Sequence, residues 1–106
     1  MAWVLLSIAG ILEVIWAFFM KQSEGFSKLW PSVITLAVMG VSFWLLSVAM
    51  RSLPLGTAYM VWTGIGAVGA FIVGVVFLGE TAGIMRMTAA VLIVGGILLM
   101  KLSSPT

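Results

Sequence analysis

The strongest constraint on this chain is where its charges stop. Residues 3–20 carry one charged side chain, Glu13, and residues 32–50 and 57–79 carry none. A helix crossing the hydrocarbon of a bilayer needs about 20 predominantly apolar residues, which each of these runs approaches or exceeds. A fourth run, 85–101, is shorter in its uncharged part. Arg86 and Lys101 at its ends can lay their stems along the helix and place their charges among headgroups, which lengthens it. Glycines, prolines and charges punctuate the connections at 21–31, 51–56 and 79–83. Connections this short leave consecutive helices antiparallel. The expectation is an all-α integral membrane protein with four transmembrane helices per chain, forming one domain over residues 1–106. Charged residues are only 8% of the chain, against about a quarter in a soluble domain. No separate soluble domain has room.

The first apolar run lacks a basic segment before it, contains a glutamate and is followed by Lys21 rather than a small-residue cleavage site, so a cleaved signal peptide is not expected. Cysteine and histidine are both absent, which removes disulfides, thiol nucleophiles, imidazole bases and the usual zinc ligand sets. A covalent enzyme, a metal site, a cofactor and a nucleic-acid partner are therefore not expected.

Short-loop basic residues orient membrane helices. Lys21, Lys28 and Arg86 fall on one side; Arg51, Lys101 and the chain's amino terminus fall on the other. This near tie leaves orientation weakly specified. A chain that inserts both ways can pair head to tail, as inverted repeats do in larger transporters, so a dual-topology, antiparallel homodimer is expected. A near tie is also compatible with one fixed orientation set by lipids or by the first helix. Four helices packed about 8–10 Å apart enclose almost no interior, so a polar path needs the walls of a second copy.

A charge near the centre of a membrane helix costs at least about 2.5–3.5 kcal/mol, and no Lys or Arg lies in the interior of any span. Glu13 must therefore be protonated, face a water-filled cavity, or pair with a visiting cation. A proton and a cation neutralise the same charge, so they compete. The alternative is a protonated acid that only aids packing. At helical spacing Glu13 shares a face with Leu6, Ala9, Gly10, Trp16, Ala17 and Met20. Gly10 and the alanines make room beside the acid, and Trp16 offers an aromatic wall that suits an organic cation, although taken singly Trp16 is explained by packing.

The third span adds Tyr59 and Trp62 at i and i+3, followed by a glycine-rich stretch. The aromatics are candidate site walls, with an interfacial aromatic belt as the plainer reading. Gly64 and Gly66 flank one residue and mark an expected bend, which would let one chain adopt two shapes. In the fourth span Ala89, Leu92, Ile93 and Gly96 fall on one stripe, an expected dimer interface or else a lipid-facing surface. Ser42 can bond a neighbouring helix or its own backbone.

Glu13-Val14-Ile15-Trp16-Ala17, the first loop with Gly25-Phe26 and Trp30-Pro31, and Leu53-Pro54-Leu55-Gly56-Thr57-Ala58-Tyr59 leading into Trp62-Thr63-Gly64-Ile65-Gly66-Ala67 resemble the small multidrug resistance family essentially end to end. The resemblance implies proton-coupled export of organic cations across the cell's inner (plasma) membrane by an antiparallel homodimer. Glu13 would bind proton or substrate, and Trp16, Ser42, Tyr59 and Trp62 would line or orient it. Trp16, Gly56-Thr57-Ala58-Tyr59, Trp62-Thr63-Gly64 and Lys101 are similar to the guanidinium-exporting branch; the first loop and Ser42-Phe43-Trp44-Leu45-Leu46 resemble both that branch and the quaternary-ammonium branch. Guanidinium suits such a site chemically, since its paired N–H donors match a carboxylate and its flat face stacks on an indole. In this account Ser42 and Tyr59 hydrogen-bond the carboxylate. The alternatives are a broad-specificity quaternary-ammonium exporter and a non-transporting small membrane subunit.

Overall fold

The computed structural model describes residues 1–103. Four helices follow one another: α1 Ala2–Gln22, α2 Leu29–Ala49, α3 Leu55–Leu78 and α4 Ile84–Ser103. Each is long and apolar enough to cross a membrane, spanning roughly 30 Å or more at 1.5 Å per residue.

The ends depart from the charge-free runs by a few residues, for local reasons. Helix α2 begins at Leu29 with Lys28 as its N-cap, earlier than the expected residue 32. Pro31 lies in the first turn, where its missing N–H breaks no helical bond. Helix α3 stops at Gly79, which takes a left-handed φ of 69°, and the Glu80 N–H returns to the Gly74 carbonyl at 3.0 Å. That closure uses the conformation glycine adopts without strain. The first loop is tighter than its polarity implies. Buried Ser23 donates its hydroxyl to Met20 O and accepts from the Phe26 N–H, while Glu24, Gly25 and Phe26 all have positive φ.

Helix α1 packs against α2 and α3, α2 touches α3, and the backbone of α4 packs on α3. The core joins Leu6 and Ala9 of α1, Leu46 and Ala49 of α2, Leu53 of the second loop, and Ala58, Val61 and Trp62 of α3. All lie toward the end of the molecule that carries the amino terminus and the second loop. The same end is drawn together by Lys101, whose ammonium sits 4.6 Å from the Trp3 ring centroid. Toward the opposite end α1 and α3 part. The main cavities there are one of about 640 Å³ lined by residues including Ala17, Met20, Lys21, Lys28 and Leu78, and one of about 290 Å³ lined by Val14, Phe18, Ala70, Phe71 and Glu80 among others. The molecule is a slab, 43 × 34 × 16 Å, and none of the described residues of α4 is buried.

Candidate functional site

Glu13 stands where the packed end gives way to the open one. Its carboxylate lies against Gly66 of α3, so closely that a Cβ on Gly66 would overlap Oε1, Cδ and Cγ of the acid. Glu13 Oε1 is enclosed and has no hydrogen-bond partner among the described residues. Trp16, one turn along, likewise buries an indole N–H without an acceptor.

The aromatic side chains form a connected run beside the acid. Trp16 meets Phe43 edge-on at 6.2 Å between centroids, Phe43 meets Trp62 at 5.6 Å, and Trp62 meets Tyr59 at 5.6 Å. Three helices therefore contribute to one aromatic surface. Phe43 is the member that sequence reasoning did not single out, because one phenylalanine among many apolar residues carries no mark of its neighbours.

Ser42 ties these helices together. Its hydroxyl donates to the Ala9 carbonyl at 2.8 Å and accepts from the Trp62 Nε1–H at 3.1 Å. A hydroxyl has one proton to give, and here it goes to α1's backbone one turn before Glu13. The expected bond from Ser42 to the carboxylate is thus absent in this conformation, and Tyr59, about half exposed, supplies none to the enclosed oxygen either.

The glycines also serve differently from the reading of the sequence. Gly10 was expected to line the site, but it is buried beneath Ile65: a Cβ there would come within 2.6 Å of Ile65 Cγ2. The space its missing side chain leaves is filled by α3. Gly64 and Gly66 were expected to bend α3, yet Leu55–Leu78 is one uninterrupted helix. Gly64 admits Ile97 of α4, and Gly66 admits the Glu13 carboxylate. Small residues permit close approach as well as flexure, and this conformation uses the former. On α4, Ala89, Leu92, Ile93 and Gly96 are all exposed, and Ala89 and Ile93 also border an open groove against α3. The whole stripe expected as a dimer interface is thus uncovered in the single chain.

Glu13 lines none of the main cavities described above. One chain supplies an acid, an aromatic wall and a hydrogen-bonded brace, but not an enclosure. Among the described residues no cluster of acidic side chains is suited to a metal ion.

Comparison with known proteins bears on what such a set of residues belongs to. The family profile described as Small Multidrug Resistance protein matches residues 1–93. The chain is 59% identical to the guanidinium exporter of Yersinia pseudotuberculosis serotype I (strain IP32953), over 98% of this chain and 100% of that protein. It is 60% identical to the guanidinium exporter of Escherichia coli (strain K12), over 98% and 99%. The guanidinium exporter of Citrobacter freundii is 57% identical over the same shares. With a profile covering most of its length and near-full-length relatives at this identity, the chain belongs to the small multidrug resistance family.

Proposed function

We propose that this protein is a proton-coupled antiporter exporting guanidinium and small substituted guanidinium ions from the cell, acting as an antiparallel homodimer in the inner (plasma) membrane. The observation that carries the reading is Glu13, an acid at membrane depth with one oxygen unpartnered, set beside an aromatic surface of Trp16, Phe43, Trp62 and Tyr59. The names of the relatives support the choice of substrate.

The chemistry follows from one negative charge with two ways to be neutralised. A guanidinium ion offers paired N–H donors to the carboxylate and a flat face to an indole. A proton removes the charge and with it the cation's main attraction. Protonation on one side displaces substrate, the dimer reverses its opening, and loss of the proton on the other side restores the site. Gly64 and Gly66 are the place where α3 has least side chain to resist flexing during that reversal. The second copy supplies the missing walls, and the α4 stripe of Ala89, Leu92, Ile93 and Gly96 is its proposed contact. The nearly balanced loop charges support insertion in both directions.

Guanidinium binding weakens as pH falls, because a protonated Glu13 has no charge to offer. In proteoliposomes with an imposed proton gradient, Glu13→Gln abolishes coupled guanidinium uptake; full coupled transport by that variant overturns the mechanism. The aromatic run also suits a quaternary ammonium, which has no N–H and binds by charge and cation–π attraction alone. Transport currents for guanidinium and a tetraalkylammonium, measured side by side, separate the two substrate classes. A non-transporting subunit releases no proton when a guanidinium salt is added.

A further inference from the structure

The contact between Glu13 and Gly66 has a consequence for how a proton is coupled to movement. The carboxyl group lies against the bare α-carbon of Gly66, and its enclosed oxygen meets no donor. An ionised carboxylate in that position would hold one enclosed oxygen away from any donor, which is unfavourable. Nor is there a compensating charge nearby. Of the helices packed on α1, α2 contains no titratable side chain and α3 contains only Tyr59. Lys21, the nearest charge on α1 itself, is eight residues away, about 12 Å along the helix. Lys28, Glu24, Arg51, Glu80, Arg86 and Lys101 all sit at helix ends or in loops. The position of Oε1 against Gly66 therefore favours a neutral acid over a charged one.

We propose that Gly66 is a positioning residue for Glu13: its bare α-carbon is the seat of the protonated carboxyl group, so that losing the proton or taking up a cation requires the acid to leave α3. Proton state is thereby tied to the packing of α1 on α3. The proposal rests on the antiport reading above and assigns the steric element that links its two halves. Two other glycine contacts of the same helix pair involve no charge. Gly69 admits Val14, and Gly10 lies under Ile65.

Those neighbours provide a matched control. Gly66→Ala and Gly69→Ala both add a methyl group between α1 and α3, but only the first meets the carboxylate. In detergent-solubilised dimer, guanidinium binding is measured by tryptophan fluorescence across pH. For Gly66→Ala, protons compete less effectively, so that roughly tenfold more acid is needed to halve binding, while Gly69→Ala keeps the parent's pH profile. An unchanged profile in Gly66→Ala, or the same change in both variants, overturns the proposal. In the unaltered protein, the Gly66 amide resonance moves with the same pH midpoint as guanidinium release, and the Gly69 resonance does not. A Gly66 resonance indifferent to that transition overturns the proposal whether or not the variants fold. If the unaltered protein's guanidinium binding does not respond to pH at all, the antiport reading itself fails, which is a different result from either of these.

Discussion

Ser42 illustrates how much one small polar group can organise in a protein with so few of them. It joins the α1 backbone to the Trp62 indole, and Trp62 in turn holds Phe43 and Tyr59 in the aromatic run. Hydrogen bonds between membrane helices average only about 0.6 kcal/mol, so their energy alone would not fix this arrangement. The larger effect of losing Ser42 is that the Trp62 N–H is left buried and unpaired. Ser42→Ala is expected to destabilise the fold by about 1–2 kcal/mol, read as a lower unfolding midpoint in detergent. It is also expected to reduce guanidinium selectivity, because the ring is no longer held. Trp16 is a test of the aromatic wall itself. Trp16→Gly is expected to shift relative transport currents from guanidinium toward bulkier ammonium ions, and an unchanged substrate profile counts against a place for the ring in the site.

At the scale of helices, glycines set how closely the elements approach, and their neighbours set how costly a methyl group would be. On Gly10 a Cβ would meet Ile65 at its branch point, near the backbone; on Gly64 it would meet mainly the movable end of Ile97, at 2.9 Å. Gly10→Ala is therefore expected to cost about 1–3 kcal/mol, and Gly64→Ala less. Adding Ile97→Val to Gly64→Ala removes the colliding methyl group and is expected to restore the unfolding midpoint. If Gly64 acts only as a hinge, turnover falls and Ile97→Val does not recover it. This is also where the sequence was hardest to read. The helices were legible because bilayer thickness sets a length and charges mark its limits; their ends shifted where Pro31 entered a first turn and where Lys21 and Gln22 prolonged α1. Glu13 stood out in the sequence because it is the lone acid in an apolar span, and the structure places it against α3 with one oxygen unpartnered. Gly10, Gly64 and Gly66 were not legible, since an absent side chain looks the same whether a chain bends there or another chain presses in. The direction of the Ser42 hydroxyl and the placement of Phe43 depend on which helices become neighbours, and hydropathy does not encode that.

For the whole molecule, the nearly even division of basic residues between the two ends is itself a testable quantity. Arg51→Ser with Ser27→Lys concentrates positive charge on the end with the first and third loops, while Arg86→Ser with Ser52→Lys shifts it to the other. If the working unit pairs two opposed copies, each double variant alone is expected to lose most guanidinium transport and co-expression of the two to restore it. Equal activity of each variant by itself excludes the opposed arrangement. A further consequence follows from the 16 Å thickness of the slab and the uncovered α4. A protein with so little interior uses the bilayer as the greater part of its core, and lipid molecules become competitors for every surface a second copy would cover. Mass action then reaches into the plane of the membrane: diluting the protein with lipid at constant total protein should lower the specific activity once copies are scarce. For a working unit of two copies, the lipid-to-protein ratio is thus expected to set turnover in its own right.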